Sequence, residues 1–168
     1  DIKEKVIRIL HNLSFVEDPT RVFRAIRFEQ RFGFTIGKLT SGLIENAVKM
    51  DFFKRLSGRR VFSELCHILK EENPTPYLIR LNEYNLLTVI DPSFALDKKL
   101  IACFNSAKKV LAWFDLLFTE EPYMRWVVYF LILLRHKDEK SSRNICRHLE
   151  LAPRHQKFFV RERLFAED

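Results

Sequence analysis

The stretch SFVEDPTRVFRAIRFEQRFGF, Ser14–Phe34, decides how the chain is read. Asp18 followed by Pro19 is a helix start. A short carboxylate can accept from the first free backbone N–H groups, and the proline ring fixes φ near the helical value. Val22, Phe23, Ala25 and Ile26 recur at helical spacing and Gly33 supplies a stop, so a helix is predicted from Asp18 to about Phe32. At 100° per residue, Arg24, Arg27 and Arg31 fall within about 60° of one another, with Arg21 at the edge of the same face. Like charges at this spacing repel by roughly 0.2–0.5 kcal/mol per pair. A helix that only had to fold would carry Glu or Gln at some of these positions, so an anionic ligand along the stripe is expected.

The same rhythm extends in both directions. Ile2, Val6, Ile9, Leu10 and Leu13 line one face of an expected first helix, broken at Ser14–Val16. A third helix is predicted over 39–49, with Leu43, Ile44, Ala47 and Val48 inward. A fourth opens at Ser57 or Gly58, carries Val61, Phe62, Leu65, Ile68 and Leu69, and ends at Asn73-Pro74. Short helices follow over 76–84 and 85–90. Asp91-Pro92 reads as a turn and a boundary between two regions, 1–92 and 93–168. Beyond it, helices are expected near 98–118, 122–136, 139–149 and 153–165. No alternating run is long enough to defend as a strand. Four glycines in 168 residues disfavour a turn-rich β fold and any glycine-rich phosphate loop. The fold expected is all-α, an irregular helical array.

The net charge of +7 fits a polyanionic partner. The densest basic region is 135–163, where Arg143, Arg147, Arg154, Lys157 and Arg161 are candidates for RNA backbone contact; an ordinary charged surface over a Phe-rich core is the alternative. Cys66, Cys103 and Cys146 lie far apart with no CxxC spacing, as expected of buried thiols in a reducing compartment. The five histidines form no ligand pattern, and the acidic KDEK segment (137–140) reads as a polar loop, so no metal site is assigned. Trp113 and Trp126 are expected in the core. The apolar run YMRWVVYFLILL (123–134) is too short to span a bilayer and reads as a buried helix, so no membrane is expected. No signal-peptide pattern is seen and a cytoplasmic setting is expected. The chain opens on Asp1, not Met, and a longer parent is expected.

The chemistry of the arginine helix turns on donor and acceptor inventories. A carboxylate only accepts and a guanidinium only donates. Held side by side, Asp18 and Arg21 complement a base edge with an amino donor next to a ring-nitrogen acceptor. Adenine and cytosine have that edge; guanine and uracil present the reverse. A site left with unpaired polar groups by the wrong ligand discriminates against it. Arg24 and Arg27 would then face ribose or triphosphate oxygens. The plainer reading, a solvated basic face with Asp18 as a helix cap, stands beside this one.

EDPTRVFRAIRF resembles the nucleobase-selecting motif of the class II tRNA nucleotidyltransferases, which include CCA-adding enzymes, A-adding enzymes and bacterial poly(A) polymerases. Glu17, Asp18, Arg21, Arg24, Ala25, Arg27 and Phe28 match its pattern. LSGRRVFSEL (56–65) resembles the next motif, an Arg-x-x-x-Glu filled by Arg60 and Glu64. These two are expected to pair and, with Glu17, to brace the selecting helix from behind. Arg59 stands where many relatives carry Glu. The resemblance covers residues 1–92; beyond them it rests on helix content and basic charge. It implies ATP and/or CTP as substrate, tRNA as partner, and a catalytic head whose Asp-x-Asp carboxylates hold Mg²⁺. The chain has no such carboxylates or glycine turn, so by itself it is expected to be catalytically silent. A poly(A) polymerase of the same family and a non-enzymatic helical RNA-binding module are the alternatives.

Overall fold

The helix that follows Asp18 anchors the N-terminal part of the structure, a computed structural model that describes residues 3–117 and 123–163. The elements run β1 (Val6–Ile7), α1 (Ser14–Glu17), α2 (Thr20–Phe32), β2 (Thr35–Ile36), α3 (Lys38–Lys49), a 3₁₀ turn (Phe52–Arg55), α4 (Gly58–Leu69), α5 (Thr75–Glu83), α6 (Leu87–Ile90), α7 (Lys98–Leu116), α8 (Arg125–Leu134), α9 (Glu139–His148) and α10 (Pro153–Glu162). The all-α expectation holds.

Val22, Phe23 and Ile26 of α2 are fully buried, and the helix packs against α4 and α5. Gly33 ends it in the left-handed conformation, φ 61°, donating its N–H to Glu29, a geometry that favours glycine. The Ser57 hydroxyl caps α4 by accepting from the Arg60 N–H. The α4 helix carries the core across the chain through its contact with α8. Phe62 lies 5.8 Å from Trp126 and 5.5 Å from Phe130, both edge-on, and Phe130 stands 4.7 Å from Phe159 of α10. Such pairs contribute about 0.5–1.5 kcal/mol beyond the area they bury. Buried residues from both sides of Asp91 belong to one contiguous cluster. The contact is close at Gly58, where any Cβ would collide with the His148 carbonyl at the end of α9 and stand 2.9 Å from the Leu149 Cα.

Several expectations fail for reasons local pattern cannot register. Residues 3–13 form no helix. Val6 and Ile7 instead pair in parallel with Thr35 and Ile36, and Lys5 takes a left-handed φ of 53° that interrupts helical backbone. Leu10 and Leu13 are exposed. A two-residue strand leaves no alternation to detect. The expected break at Ser14–Val16 is itself a helical turn, α1. The fourth helix stops at Leu69, short of Asn73-Pro74, and Pro74 opens α5. Trp126 joins the aromatic core, but Trp113 is 61% exposed. It follows Phe104, the buried anchor of α7, by nine residues, which is half a turn away around the helix. Of the three thiols only Cys146 is fully buried; Cys66 and Cys103 are partly covered. Burial still pushes the Cys66 thiol up to about 12 and Cys146 to about 11. Asp138 of the KDEK segment caps α9, accepting from the Ser141 N–H at 2.7 Å. Among the described residues no helix is long and apolar enough to cross a membrane.

Candidate functional site

Asp18 occupies the junction between α1 and α2 in an extended conformation. Its Oδ1 accepts three hydrogen bonds: from the Thr20 N–H at 3.1 Å, the Thr20 hydroxyl at 2.6 Å and Nη2 of Arg60 at 2.9 Å. Its Oδ2 takes none among the described residues. Partial burial alone would raise the Asp18 pKa. The Thr20 hydrogen bonds and the Arg60 and Arg21 charges outweigh it and hold the carboxyl below the ordinary carboxylate range. Asp18 is therefore an anchored anion at neutral pH with one oxygen uncommitted.

Arg21 is held in the same way. Its Nη1 donates to the Ser14 hydroxyl at 2.8 Å, the Ser14 carbonyl at 3.2 Å and Glu17 at 3.3 Å. Its Nη2 makes no bond among the described residues. Asp18 and Arg21 do not pair with each other. Each is fixed through one polar atom by other partners, which leaves an acceptor and a donor at the start of one helix.

The rest of the arginine stripe divides by environment. Arg24 is exposed and has no ion pair or hydrogen bond among the described residues. Arg27 is half-buried, its guanidinium 5.2 Å from the Phe28 ring centroid, and its buried Nε has no acceptor among the described residues. Arg31 stands 4.0 Å from Glu71, at the limit of an ion pair.

Arg60 and Glu64 do not form the expected pair. The packing of α4 beside α2 brings Asp18 within reach of Arg60, and that contact across helices replaces the one within the helix. Glu64 is half-buried, with Oε2 lacking a donor among the described residues. Burial raises its pKa, against the charges of His67, Arg27 and Arg24. Glu64 thus lies in the field of the two arginines without bonding either. Glu17 bonds Arg21 and stands 3.6 Å from His11.

Sequence reasoning missed two contributors. Ser14 orients Arg21, and Thr20 orients Asp18. A hydroxyl residue two positions after Asp is a recognisable turn signal; nothing local marks Ser14.

The second candidate set lies on α9 and α10, which pack together. Arg143, Lys157 and Arg161 line one groove with Glu139, Val160 and Arg163. Arg147 and Arg154 are exposed outside it. Arg143 pairs with Glu139, and Arg161 donates to Glu162 at 2.6 Å. These pairs are exposed and weak, worth about 0–1 kcal/mol each, and a polyanion could displace them. No group of three or more His, Cys, Asp or Glu is arranged to hold a metal ion among the described residues.

Residues 33–97 match the family model described as "Probable RNA and SrmB- binding site of polymerase A". The chain is 45% identical over 167 residues to an A-adding tRNA nucleotidyltransferase of Geobacter sulfurreducens; the match covers 99% of this chain and 19% of that protein. Among solved structures, it resembles the Thermotoga maritima CCA-adding enzyme complexed with tRNA, at 33% identity and a TM-score of 0.81, over 96% of this chain and 39% of that one. It also resembles a CCA-adding enzyme in complex with ATP, at 33% identity and a TM-score of 0.82, over 96% and 38%. With the Glu17–Phe28 motif in place, the chain belongs to the family of tRNA nucleotidyltransferases and bacterial poly(A) polymerases, of which it carries a helical part.

Proposed function

We propose that this chain is the nucleotide-selecting and tRNA-contacting part of a template-independent tRNA nucleotidyltransferase that adds A and/or C to the tRNA 3′ end. The observation that carries the reading is the pair of half-committed side chains. Asp18 keeps Oδ2 and Arg21 keeps Nη2 while Oδ1 and Nη1 hold the two side chains in place. Oδ2 accepts from the exocyclic amino group of adenine or cytosine, and Arg21 donates to the neighbouring ring nitrogen. Guanine or uracil sets acceptor against acceptor and donor against donor. Arg60 and Thr20 keep Asp18 ionised and aimed; Ser14 and Glu17 aim Arg21. Arg24 and Arg27 meet ribose or phosphate oxygens, with Glu64 biasing their field.

Residues 1–92 serve as the selecting neck. Residues 93–168 serve as a body that meets tRNA through Arg143, Arg147, Arg154, Lys157 and Arg161. Mg²⁺ finds no fitting donor set among the described residues, and we assign it to a head domain acting with this chain, in the cytoplasm. The Geobacter relative makes A the first nucleotide to test. The polymerase A description of residues 33–97 favours a second reading, in which the same machinery extends other RNAs with A.

The test uses the protein that carries this chain with a catalytic head, offered tRNAs ending in the discriminator base, C or CC and each nucleoside triphosphate in turn. Incorporation of A or C with exclusion of G and U is expected, and the 168-residue chain alone should add nothing. Long A tails on non-tRNA primers would select the second reading. Indiscriminate incorporation, or addition by the chain alone, would overturn both.

A further inference from the structure

A half-open cavity of ≈ 240 Å³ lies between the start of α6, the loop that leads into α7, the start of α7 and the end of α8, in a region to which the reading of α2 assigns nothing. Leu87, Phe94, Leu100 and Leu133 supply its apolar walls, and Lys99, Arg135, His136 and Lys137 line it as well. The volume is below the roughly 300–1,000 Å³ of drug-sized ligand sites, so the occupant is small or is one group of something larger.

The basic side chains here have no carboxylate partner among the described residues. Lys99 and Arg135 form no ion pair among the described residues. Nη1 of Arg135 meets the Cys103 sulfur, a weak acceptor that leaves the guanidinium charge in place. The Nε of Arg135 is buried with no acceptor among the described residues. A buried donor left unmade costs about 1–3 kcal/mol. Lys137 donates to the Ser93 carbonyl at 2.7 Å, and its ammonium lies 6.0 Å from the Phe94 ring centroid.

The backbone that presents these groups is itself constrained. His136 adopts a left-handed φ of 63°, uncommon for a residue other than glycine. Nε of the buried Arg163 donates to the Lys137 carbonyl at 3.2 Å and fixes the same turn from behind. The single carboxylate on the lining, Asp97, is occupied as the cap of α7, where Oδ1 accepts from the Leu100 N–H at 2.6 Å. Its charge offsets the positive end of that helix dipole, and Lys99, Arg135 and Lys137 remain as cations against this one carboxylate.

The geometry points to a site for a phosphate group: Arg135, Lys99 and Lys137 bind the oxygens, and the apolar walls receive the sugar or base attached to it. Guanidinium and ammonium donors beside apolar walls suit a phosphate ester better than a carboxylate metabolite, because the phosphate spreads charge over several acceptor oxygens. Such a group can belong to an RNA backbone or to a free nucleotide.

The experiment is a titration of the full chain with inorganic phosphate and with AMP at constant ionic strength, followed by ¹H–¹⁵N NMR. Saturable shifts are expected at residues 93–100 and 135–137 and at the Arg135 Nε–H. Lys99→Gln and Arg135→Met should each weaken binding about tenfold, the worth of one charge-assisted hydrogen bond. Lys99 is exposed, so its substitution tests the site even if the Arg135 variant is destabilised. If tRNA competes with phosphate and loses about tenfold in affinity in the same variants, the group is an RNA phosphate. If phosphate and AMP bind while tRNA affinity is unchanged, the ligand is a free nucleotide or phosphate. Absence of saturable shifts at these residues, or equal shifts in wild type and Lys99→Gln, would overturn the proposal.

Discussion

The two ends of α2 carry two carboxylate–arginine arrangements that differ in how completely they are closed. At the C-terminal end, Glu29 is 7% exposed and both its oxygens are used. Oε1 accepts from the Ile36 N–H at 3.1 Å and Nη2 of Arg80 at 3.1 Å; Oε2 accepts from Nε of Arg80 at 2.7 Å and from Gln30 at 3.3 Å. Arg80 also reaches the Tyr84 hydroxyl, and Tyr84 bonds Ser41 of α3. At the N-terminal end, Asp18 and Arg60 are 26% and 53% exposed, and one carboxylate oxygen is left over. A saturated pair ties elements together. A half-saturated pair, held rigid on one side only, is what a ligand can complete.

Substitution should separate the two. Arg80→Met leaves a buried carboxylate without its partner, and a loss on the order of 3 kcal/mol is expected in denaturant unfolding. Asp18→Ala removes a cap and an exposed pair, and should cost about 1 kcal/mol. Equal losses would mean that the N-terminal arrangement is structural too.

A smaller and more specific effect is expected at Glu64. Its folded-state pKa is raised, chiefly by burial. The stability tied to this group is therefore complete below the unfolded value and is lost as pH rises through the folded one. Glu64→Gln removes the titration. The variant should be at least as stable as the native chain near pH 7, with the difference fading toward about pH 4, where Glu64 itself is protonated. Thermal melts across that range would contradict the assignment if Gln were destabilising at neutral pH.

Much of this was legible in the residues. Asp18-Pro19, Gly33 and Ser57 announced helix boundaries because caps and stops act through neighbours in sequence. Asp18 and Arg21 could be singled out because their donor and acceptor inventories are fixed by residue type. What stayed hidden is what depends on residues brought together by folding. Arg60 pairs with Asp18, 42 positions away, not with Glu64 one turn along its own helix. The Glu29–Arg80 bond spans 51 positions. The Val6–Thr35 pairing is equally non-local and too short to print a period. Trp113 reads as core by composition and is exposed by its angle on α7.

The measurement that tests the central claim most directly is the ratio of A and C to G and U incorporation by the head-bearing protein, compared among wild type, Asp18→Ala and Arg21→Ala. Each variant should relax that ratio by about 10–100-fold, the equivalent of one or two mismatched polar contacts. An unchanged ratio in both variants, with overall activity retained, would contradict the assignment of base selection to the open edge of Asp18 and Arg21.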